Sequence, residues 1–505
     1  MAEVRTHKLV EKCDVARASL PSSTTRTTSS LPLSFLDLPL AGPVYVKRQF
    51  FYQFPHSTHH FCETTLPTLK HSLSLILQHF FPLAGNLLCP PPPHKPFIRC
   101  TDHDTVPLTI IQSKSDFIHL SSNHPKSLQE LNHLNPELTF ATMHDDTFIF
   151  PLVALQATVF ESHGLCIAIT YCHVMDGKCC NHFMKSWSSL CQSGGVDLTL
   201  VENSPPCFDR EVLRDPRGGI EDIFLRDYFE ERSTWKDKLI DQTPKHEEYY
   251  KATIVFGRDD IEGLKRWRNE LKGEDGFVNA VKVIEKTASD MKSEPFKEAE
   301  HWRSLFVKTF VLGTPLLVTG SPNFEVYETD FGFGRPTKVE MVHSFKCMSL
   351  AESRDEEGGL EDTIKLNHLR ARETRVAIII AHHAHHHQHT SFFIQQPWKF
   401  GSPFRTATNP TTTIIRKNAS RFHQAISRRK HHPCTTQIVV APLHSSSPSS
   451  SNSIVSHNHS RALPLPANQR NNKNQKTYIH LCLATFLHFC TTMSFFSTNL
   501  ALAEK

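Results

Sequence analysis

The sequence predicts an α/β body in roughly the first 361 residues, followed by an unfolded C-terminal tail. Apolar runs of strand length alternate with amphipathic helix patterns throughout the first part. Beyond residue 361 no sustained period remains, and runs of Ser, Thr, Asn and His replace the apolar clusters. Such polar, low-complexity sequence buries too little apolar surface to offset the entropy of ordering the chain.

Charge divides the 505-residue chain at the same place. Residues 363–505 hold 17 Lys and Arg against two acids, Glu373 and Glu504, a net charge of +15. Residues 1–362 hold 38 basic and 49 acidic residues, a net charge of −11. A basic tail is typical of nucleic-acid or membrane partners. This tail lacks the interleaved aromatic residues that stack on bases, so we expect no nucleic-acid partner.

Three segments of the tail allow other interpretations. The histidines from His382 to His389 have no Asp, Glu or Cys around them, so we expect no metal site. Arg428-Arg429-Lys430 resembles a basic patch, but such triplets are common. Residues 478–500 are apolar but interrupted by His, Ser and Thr, so we expect no membrane span. We interpret the tail as sequence that was not selected to fold.

The N-terminus and the cysteines predict a cytoplasmic protein. The first 20 residues are mixed and polar and lack the apolar run of a secretory signal. Fourteen cysteines without such a signal indicate reduced thiols rather than disulfides. Their spacing matches no zinc site.

The elements of the body follow from the spacing of its apolar residues. From Leu66 to Phe80 these residues recur in steps of three and four, which predicts an amphipathic helix. From Gly194 to Glu248 apolar residues are sparse and Pro and Gly turn signals are frequent. A further helix is predicted over Phe277 to Val307. Strands are predicted at 44–51, 97–98, 108–111, 148–160, 165–171 and 252–256.

The candidate site lies on a turn between a strand and a helix. The apolar run at 165–171 predicts a buried strand, and from Lys178 the apolar residues fall on one helical face. Those residues are Cys180, Phe183, Met184, Trp187, Leu190 and Cys191. His173 and Asp176 therefore lie on a tight turn held by two rigid elements, and an imidazole there can accept a proton near neutral pH. A lone turn histidine is nevertheless more often structural than catalytic.

Two motifs carry a family resemblance. The turn resembles the active-site motif of the BAHD acyl-CoA-dependent acyltransferases of plants, which is His, three residues, Asp and Gly. The stretch Asp330-Phe331-Gly332-Phe333-Gly334 resembles the family's Asp-Phe-Gly-Trp-Gly signature, with Phe333 in place of Trp. Three more stretches are similar to family sequence in the same order, 31–37, 80–87 and 318–322. The branch that the chain resembles acts on anthocyanin, flavonoid and other phenolic glucosides, often with malonyl-CoA.

The resemblance implies a two-lobe CoA-dependent acyltransferase fold with an incomplete second lobe. It places the N-terminal lobe at residues 1–195, a crossover segment at 196–250, a truncated C-terminal lobe at 251–361 and a foreign tail at 362–505. The family carries several dozen more residues after the position of Trp267, including a Tyr-Phe-Gly-Asn-Cys signature. It also continues into a final strand and helix where this tail begins. We therefore expect an internal deletion and an altered C-terminus.

The resemblance also implies the chemistry. The family's motif His removes the acceptor's hydroxyl proton in a channel between the lobes, and the motif Asp makes a structural ion pair that holds the loop. In this chain His173 is then the general base and Asp176 the loop anchor, and residues 330–334 shape the second lobe. The resemblance implies acyl-CoA as co-substrate, a small phenolic glycoside as acceptor, no cofactor or metal, no membrane and a monomer.

The motif in this chain is one residue short. Only Val174 and Met175 separate His173 from Asp176, so Cys172 occupies the position of the family's His. Either His173 serves as the base after the loss of one residue, or Cys172 does and the site is damaged. Misplacement of a catalytic group by about 1 Å costs on the order of a hundredfold in rate. Two functions stay open, acyl transfer with reduced or absent activity, and a catalytically inactive truncated relative or the product of a wrongly assembled gene.

Overall fold

A computed structural model describes residues 7–18, 28–142, 145–236, 249–262, 286, 289–290, 293–312, 317–342 and 347–367. All of these residues belong to the same unit of the chain. The internal deletion predicted after Trp267 and the tail beyond residue 367 lie outside the described residues.

The described chain is a mixed α/β structure, as predicted, and its strands form three sheets. The strands are β1 His7–Ala16, β2 Thr28–Pro32, β3 Tyr45–Gln53, β4 Asn86–Cys89, β5 Phe97–Thr101, β6 Thr105–Ser113, β7 Lys126–Ser127, β8 Ala141–Thr142, β9 Phe148–Pro151, β10 Val153–Phe160, β11 Gly164–Cys172, β12 Tyr249–Phe256, β13 Leu317–Gly320, β14 Lys338–Met341, β15 Cys347–Glu352 and β16 Leu360–Asn367. The helices are α1 Thr58–His60, α2 Leu66–Ile76, α3 Phe117–Leu120, α4 Leu128–Asn132, α5 Gly177–Gln192, α6 Thr199–Asn203, α7 Ile220–Arg232 and α8 Trp302–Leu312.

Sheet one carries the strand of the candidate turn. Its order is β1-β6-β10-β11-β3-β14, with β10 parallel to β6 and the other neighbours antiparallel. Every residue of β10 and β11 is buried, because both strands lie in the interior of the sheet. The helices α2 and α5 join the same hydrophobic core, where Trp187 Nε1 donates a hydrogen bond to Ser72 Oγ at 3.1 Å. The turn between β11 and α5 therefore starts and ends in well-packed structure.

Sheet two corrects the predicted start of the tail. Its order is β13-β15-β16-β12-β7, and sheet three has the order β2-β5-β4-β9-β8. The strand β16 continues to Asn367 and pairs with the whole length of β12, with Asp362 and Thr363 buried. The body therefore does not end at residue 361, because the ladder with β12 supplies partners for six further residues of mixed polarity.

The helix predicted over Phe277 to Val307 is interrupted in its described part, because residues 286, 289–290 and 293 are helical but a break follows them. Residues 295–298 form turns, Ala299–His301 form a single 3₁₀ turn, and α8 begins only at Trp302. Pro295 explains the break, because a proline interrupts the helical hydrogen bonds and disfavours a helical residue before it.

Each of the two predicted lobes contributes one strand to the sheet of the other lobe. The strand β14 pairs with β3 in sheet one, and β7 pairs with β12 in sheet two. Glu340 on β14 joins the two exchanged strands, since its Oε1 accepts a hydrogen bond from Lys126 Nζ of β7 at 2.7 Å. Its Oε2 lies 3.6 Å from Lys251 Nζ of β12. All three side chains are at most 1% exposed.

The Glu340 carboxylate stays charged throughout the neutral pH range. Burial alone would raise its pKa, but Lys126, Lys251 and Lys338 hold the pKa of Glu340 at about 2. Burial lowers the pKa of Lys126 and of Lys251, and Glu340 is the main charge that opposes this effect. The two sheets are thus joined by buried charges that depend on one another.

We expect Glu340→Gln to lower the free energy of unfolding by about 3–5 kcal/mol, because it leaves Lys126 and Lys251 buried without a compensating charge. Urea unfolding followed by tryptophan fluorescence measures this change. The matched control is Glu325→Gln, which breaks the pair with Lys185 at 2.8 Å, in which the Glu325 side chain is 64% exposed. The control should cost less than about 1 kcal/mol. Equal effects of the two variants would contradict this account of the contact between Glu340 and the two lysines.

Candidate active site

The candidate turn is closed by backbone hydrogen bonds. His173 is the first residue after β11, and its N–H donates to Val44 O at 2.8 Å. Met175 N–H donates to Cys172 O at 3.0 Å. The first bond ties the turn to the residue that precedes β3, and the second makes the turn tight, as the sequence predicted.

Burial favours the neutral form of the His173 imidazole. The residue is half-buried, and its Nδ1 is buried without a hydrogen-bond partner among the described residues. Burial lowers the pKa of His173, and its own backbone and Asp176 oppose that shift only in part. No described side chain orients the ring through Nδ1, so the direction of the ring depends on the backbone of the turn.

Asp176 anchors the turn as a helix cap. Its Oδ1 accepts hydrogen bonds from the N–H groups of Lys178 at 2.8 Å and Cys179 at 2.9 Å. These are donors of the first turn of α5, which have no partner within the helix. Asp176 makes no direct ion pair among the described residues, although its charge, after that of Asp37, helps to raise the pKa of Arg210. The anchoring role is instead performed by backbone capping.

Cys172 is not a suitable base. The residue is fully buried, and its Sγ donates to Gly42 O at 3.4 Å. Burial raises the pKa of Cys172 to about 12. Because a thiol with that pKa stays protonated near neutral pH, the geometry favours His173 over Cys172 as the proton acceptor.

The helix α5 has the predicted buried face. Cys180, Phe183, Met184, Trp187, Leu190 and Cys191 are all buried, as their spacing predicted. Three polar residues of the helix, Asn181, Ser186 and Ser188, are buried as well. Asn181 bonds to a neighbouring segment, since its Nδ2 donates to Phe324 O at 2.5 Å.

The segment 330–334 is a loop closed by its own aspartate. Asp330 Oδ1 accepts hydrogen bonds from the N–H groups of Gly332 at 2.7 Å and Gly334 at 2.9 Å. The two glycines have φ of 97° and 84°, a region that favours glycine over other residues. Gln192 Nε2, at the end of α5, donates to Asp330 Oδ2 at 3.2 Å.

The aromatic residues of this segment pack on sheet one and α5. The ring of Phe331 lies edge-on to Trp187 with 4.8 Å between centroids, and the ring of Phe333 lies edge-on to Tyr52 at 5.8 Å. The family resemblance implied a role in shaping the second lobe. The contacts instead support β3 and α5, the elements that adjoin and follow the turn.

Two charged residues behind the turn were missed by motif reasoning. Arg210 Nη2 donates to Val174 O at 3.3 Å, and its Nε lies 3.6 Å from Asp37 Oδ2. Asp37 belongs to the stretch 31–37 that resembles family sequence, but Arg210 lies in the turn-rich crossover segment. No local pattern pairs residues so far apart in the chain.

A small cavity lies between sheets one and two. Arg48 and Val339 line it from sheet one, Ser349 and Thr363 from sheet two, and Phe324 also borders it. Its space for water-sized groups is about 30 Å³, enough for about two water molecules. An acyl-CoA does not fit in this cavity.

In the described part of the chain, no three His, Cys, Asp or Glu side chains lie close enough to share a metal ion. The described helices include none that is long and apolar enough to cross a bilayer.

Comparison with known proteins identifies the family. A sequence profile of the Transferase family matches residues 16–277. The chain is 28% identical to coumaroyl-CoA:anthocyanidin 3-O-glucoside-6''-O-coumaroyltransferase 2 of Arabidopsis thaliana, over 72% of this chain and 95% of that protein. It is 30% identical to malonyl-coenzyme A:anthocyanin 3-O-glucoside-6''-O-malonyltransferase of Dahlia pinnata, over 65% of this chain and 87% of that protein. Phenolic glucoside malonyltransferase 2 of Arabidopsis thaliana is 29% identical over 66% and 89% of the two chains.

The chain belongs to the BAHD family of acyl-CoA-dependent acyltransferases. The alignment with the coumaroyltransferase also bears on the predicted deletion. The alignment is 451 positions long. It covers 72% of the 505 residues of this chain, and that share is shorter than the alignment. The relative therefore has residues without a counterpart here, in agreement with an internal deletion.

We expect the acid limb of kcat/KM for acyl transfer to have a midpoint below pH 6.5, the usual pKa of histidine. The reason is that burial lowers the pKa of His173, so its neutral form persists to lower pH. Initial rates of CoA thiol release between pH 4.5 and 8, with pH values chosen at about half-unit steps, give the profile. A midpoint above 6.5 would contradict the assignment of this buried imidazole as the base.

Proposed function

We propose that this chain transfers an acyl group of the malonyl or hydroxycinnamoyl class from acyl-CoA to a hydroxyl of a phenolic or flavonoid glucoside. The proposal is supported by family membership and by the activities for which the relatives are named, coumaroyl and malonyl transfer to anthocyanin and phenolic glucosides. The observation that carries it is the position of His173, half-buried and directly after the fully buried strand β11, where burial lowers its pKa.

His173 is the general base in this proposal. The acceptor hydroxyl gives its proton to Nε2 of His173 while its oxygen attacks the thioester carbonyl. The tetrahedral intermediate then collapses, the carbon–sulfur bond breaks, and the CoA sulfur takes the proton from the imidazolium. The buried Nδ1 makes Nε2 the nitrogen that meets the substrate. Asp176 contributes by capping α5, which fixes the end of the turn.

The second candidate is a catalytically inactive relative. The shortened motif and the alignment gap favour it. Loss of an inner segment removes groups that would line the acyl-CoA channel, and a turn can adjust to a missing residue more readily than a lobe can replace a lost segment. The two candidates share the fold and differ in turnover.

Turnover assays separate the two candidates. The full-length chain is incubated with malonyl-CoA or coumaroyl-CoA and a set of flavonoid and simple phenolic glucosides, and thiol release and acylated product are measured together. We expect His173→Ala to reduce any transfer by at least about a hundredfold, the usual scale for loss of a general base.

Cys172→Ala is the matched control, because it changes the neighbouring buried residue without touching the imidazole. It should keep transfer within about threefold of the unchanged chain, in contrast to the hundredfold scale of a lost base. The opposite ranking of the two variants would place the base at Cys172. A folded chain that releases no thiol with any substrate pair would refute acyl transfer and support the inactive relative.

A further inference from the structure

The direction of the His173 ring needs an explanation beyond the ring itself. A catalytic imidazole is commonly oriented by a partner on its second nitrogen. In the described residues Nδ1 of His173 has no such partner. The ring direction must therefore come from the backbone of the turn, which is held at His173 N–H by Val44 and at Val174 O by Arg210.

Arg210 reaches the turn from the side of the crossover segment. Its Nη2 donates to Val174 O at 3.3 Å, and Val174 is the residue that directly follows His173. The Arg210 side chain is only 15% exposed, so bulk water has limited access to compete for that carbonyl. A long side chain held in one conformation needs a second anchor, because its rotamer freedom is otherwise costly to remove.

Asp37 supplies that second anchor. Its Oδ2 lies 3.6 Å from Arg210 Nε, and the Asp37 side chain is 11% exposed. The same oxygen accepts hydrogen bonds from the N–H of Ser34 at 2.8 Å and from Ser34 Oγ at 2.7 Å. The flanking residues Leu36 and Leu38 are buried. A fixed carboxylate thus holds a guanidinium whose other end holds the turn.

We propose that Arg210, fixed by Asp37, is a positioning residue that sets the direction of the His173 imidazole through the carbonyl of Val174. The inference rests on the proposed function, in which His173 is the base. It assigns a role to Asp37 in the stretch 31–37 and to Arg210 in the crossover segment. Arg210 acts through the turn and not on the substrate.

The test replaces Arg210 with Lys, which keeps the positive charge beside Asp37 but cannot bridge a carboxylate and a carbonyl in the same way. The matched control is Arg335→Lys. Arg335 also bridges a carboxylate and a carbonyl, on a side chain that is 50% exposed, with Nη2 3.0 Å from Glu328 Oε1 and Nε donating to Tyr327 O at 3.3 Å.

The first measurement does not depend on turnover. Carbethoxylation of His173 by diethyl pyrocarbonate is followed by peptide mass spectrometry at neutral pH, and its rate is normalised to that of His59, whose side chain is 79% exposed. We expect Arg210→Lys to change the rate at His173 by at least about fivefold, because a freed turn changes access to the buried ring. Arg335→Lys should leave it within about twofold, the scatter expected for a distant substitution.

The second measurement is kinetic. Arg210→Lys should lower kcat by about 10- to 100-fold while KM for acyl-CoA stays within about twofold, since misdirection of the base affects the chemical step. Asp37→Asn keeps Arg210 in the chain and should shift both readouts in the same direction by a smaller factor. This second variant keeps the test decisive if Arg210→Lys fails to fold.

An unchanged carbethoxylation rate at His173 in folded Arg210→Lys and Asp37→Asn would overturn the positioning role. So would an equal change in Arg335→Lys. If the unchanged chain shows no acyl transfer, the proposed function fails, but the carbethoxylation rates still decide whether Arg210 positions His173.

Discussion

The buried carboxylate of Glu340 is the contact on which the architecture depends. It meets Lys126 and Lys251 at the place where β14 enters sheet one and β7 enters sheet two. Charges this deeply buried stabilise a fold only when they stay paired, and a lost partner costs far more than a surface pair does. Each of the two sheets therefore depends on a strand from a distant part of the chain, and the pairing of these three side chains requires both strands to be in place.

This junction has a consequence for the candidate site. The strand β14 pairs with β3, β3 pairs with β11, and β11 leads directly into the turn of His173. The ring has no described partner on Nδ1, so its position is inherited from these backbone ladders and from the hydrogen bonds at Val44 and Val174. A site of this kind is only as well defined as the strands and side chains around it.

Local periodicity was sufficient to predict the elements around the turn. The apolar run at 165–171 and the six apolar positions of α5 lie where their spacing placed them, because the strand is buried on both faces and the helix on one. The pattern failed at β16, where charged and apolar residues mix in a strand whose hydrogen bonds come from distant β12. Pairings such as Lys126 with Glu340 or Arg210 with Asp37 have no local signal, since each residue alone is an ordinary surface type. The capping bonds of Asp176 to Lys178 and Cys179 add a contact that the family motif does not state.

Native-state hydrogen exchange tests the central claim that the two sheets form one interlocked body. Amides of β3 and β11 report on sheet one, and amides of β12 and β16 report on sheet two, all in the same protein under slowly increasing denaturant. The account predicts that both sets exchange through one opening with the same free energy, because neither sheet keeps its partner strand and its buried charges once the other opens. Exchange of β12 and β16 at a clearly lower free energy, with β3 and β11 still protected, would contradict it.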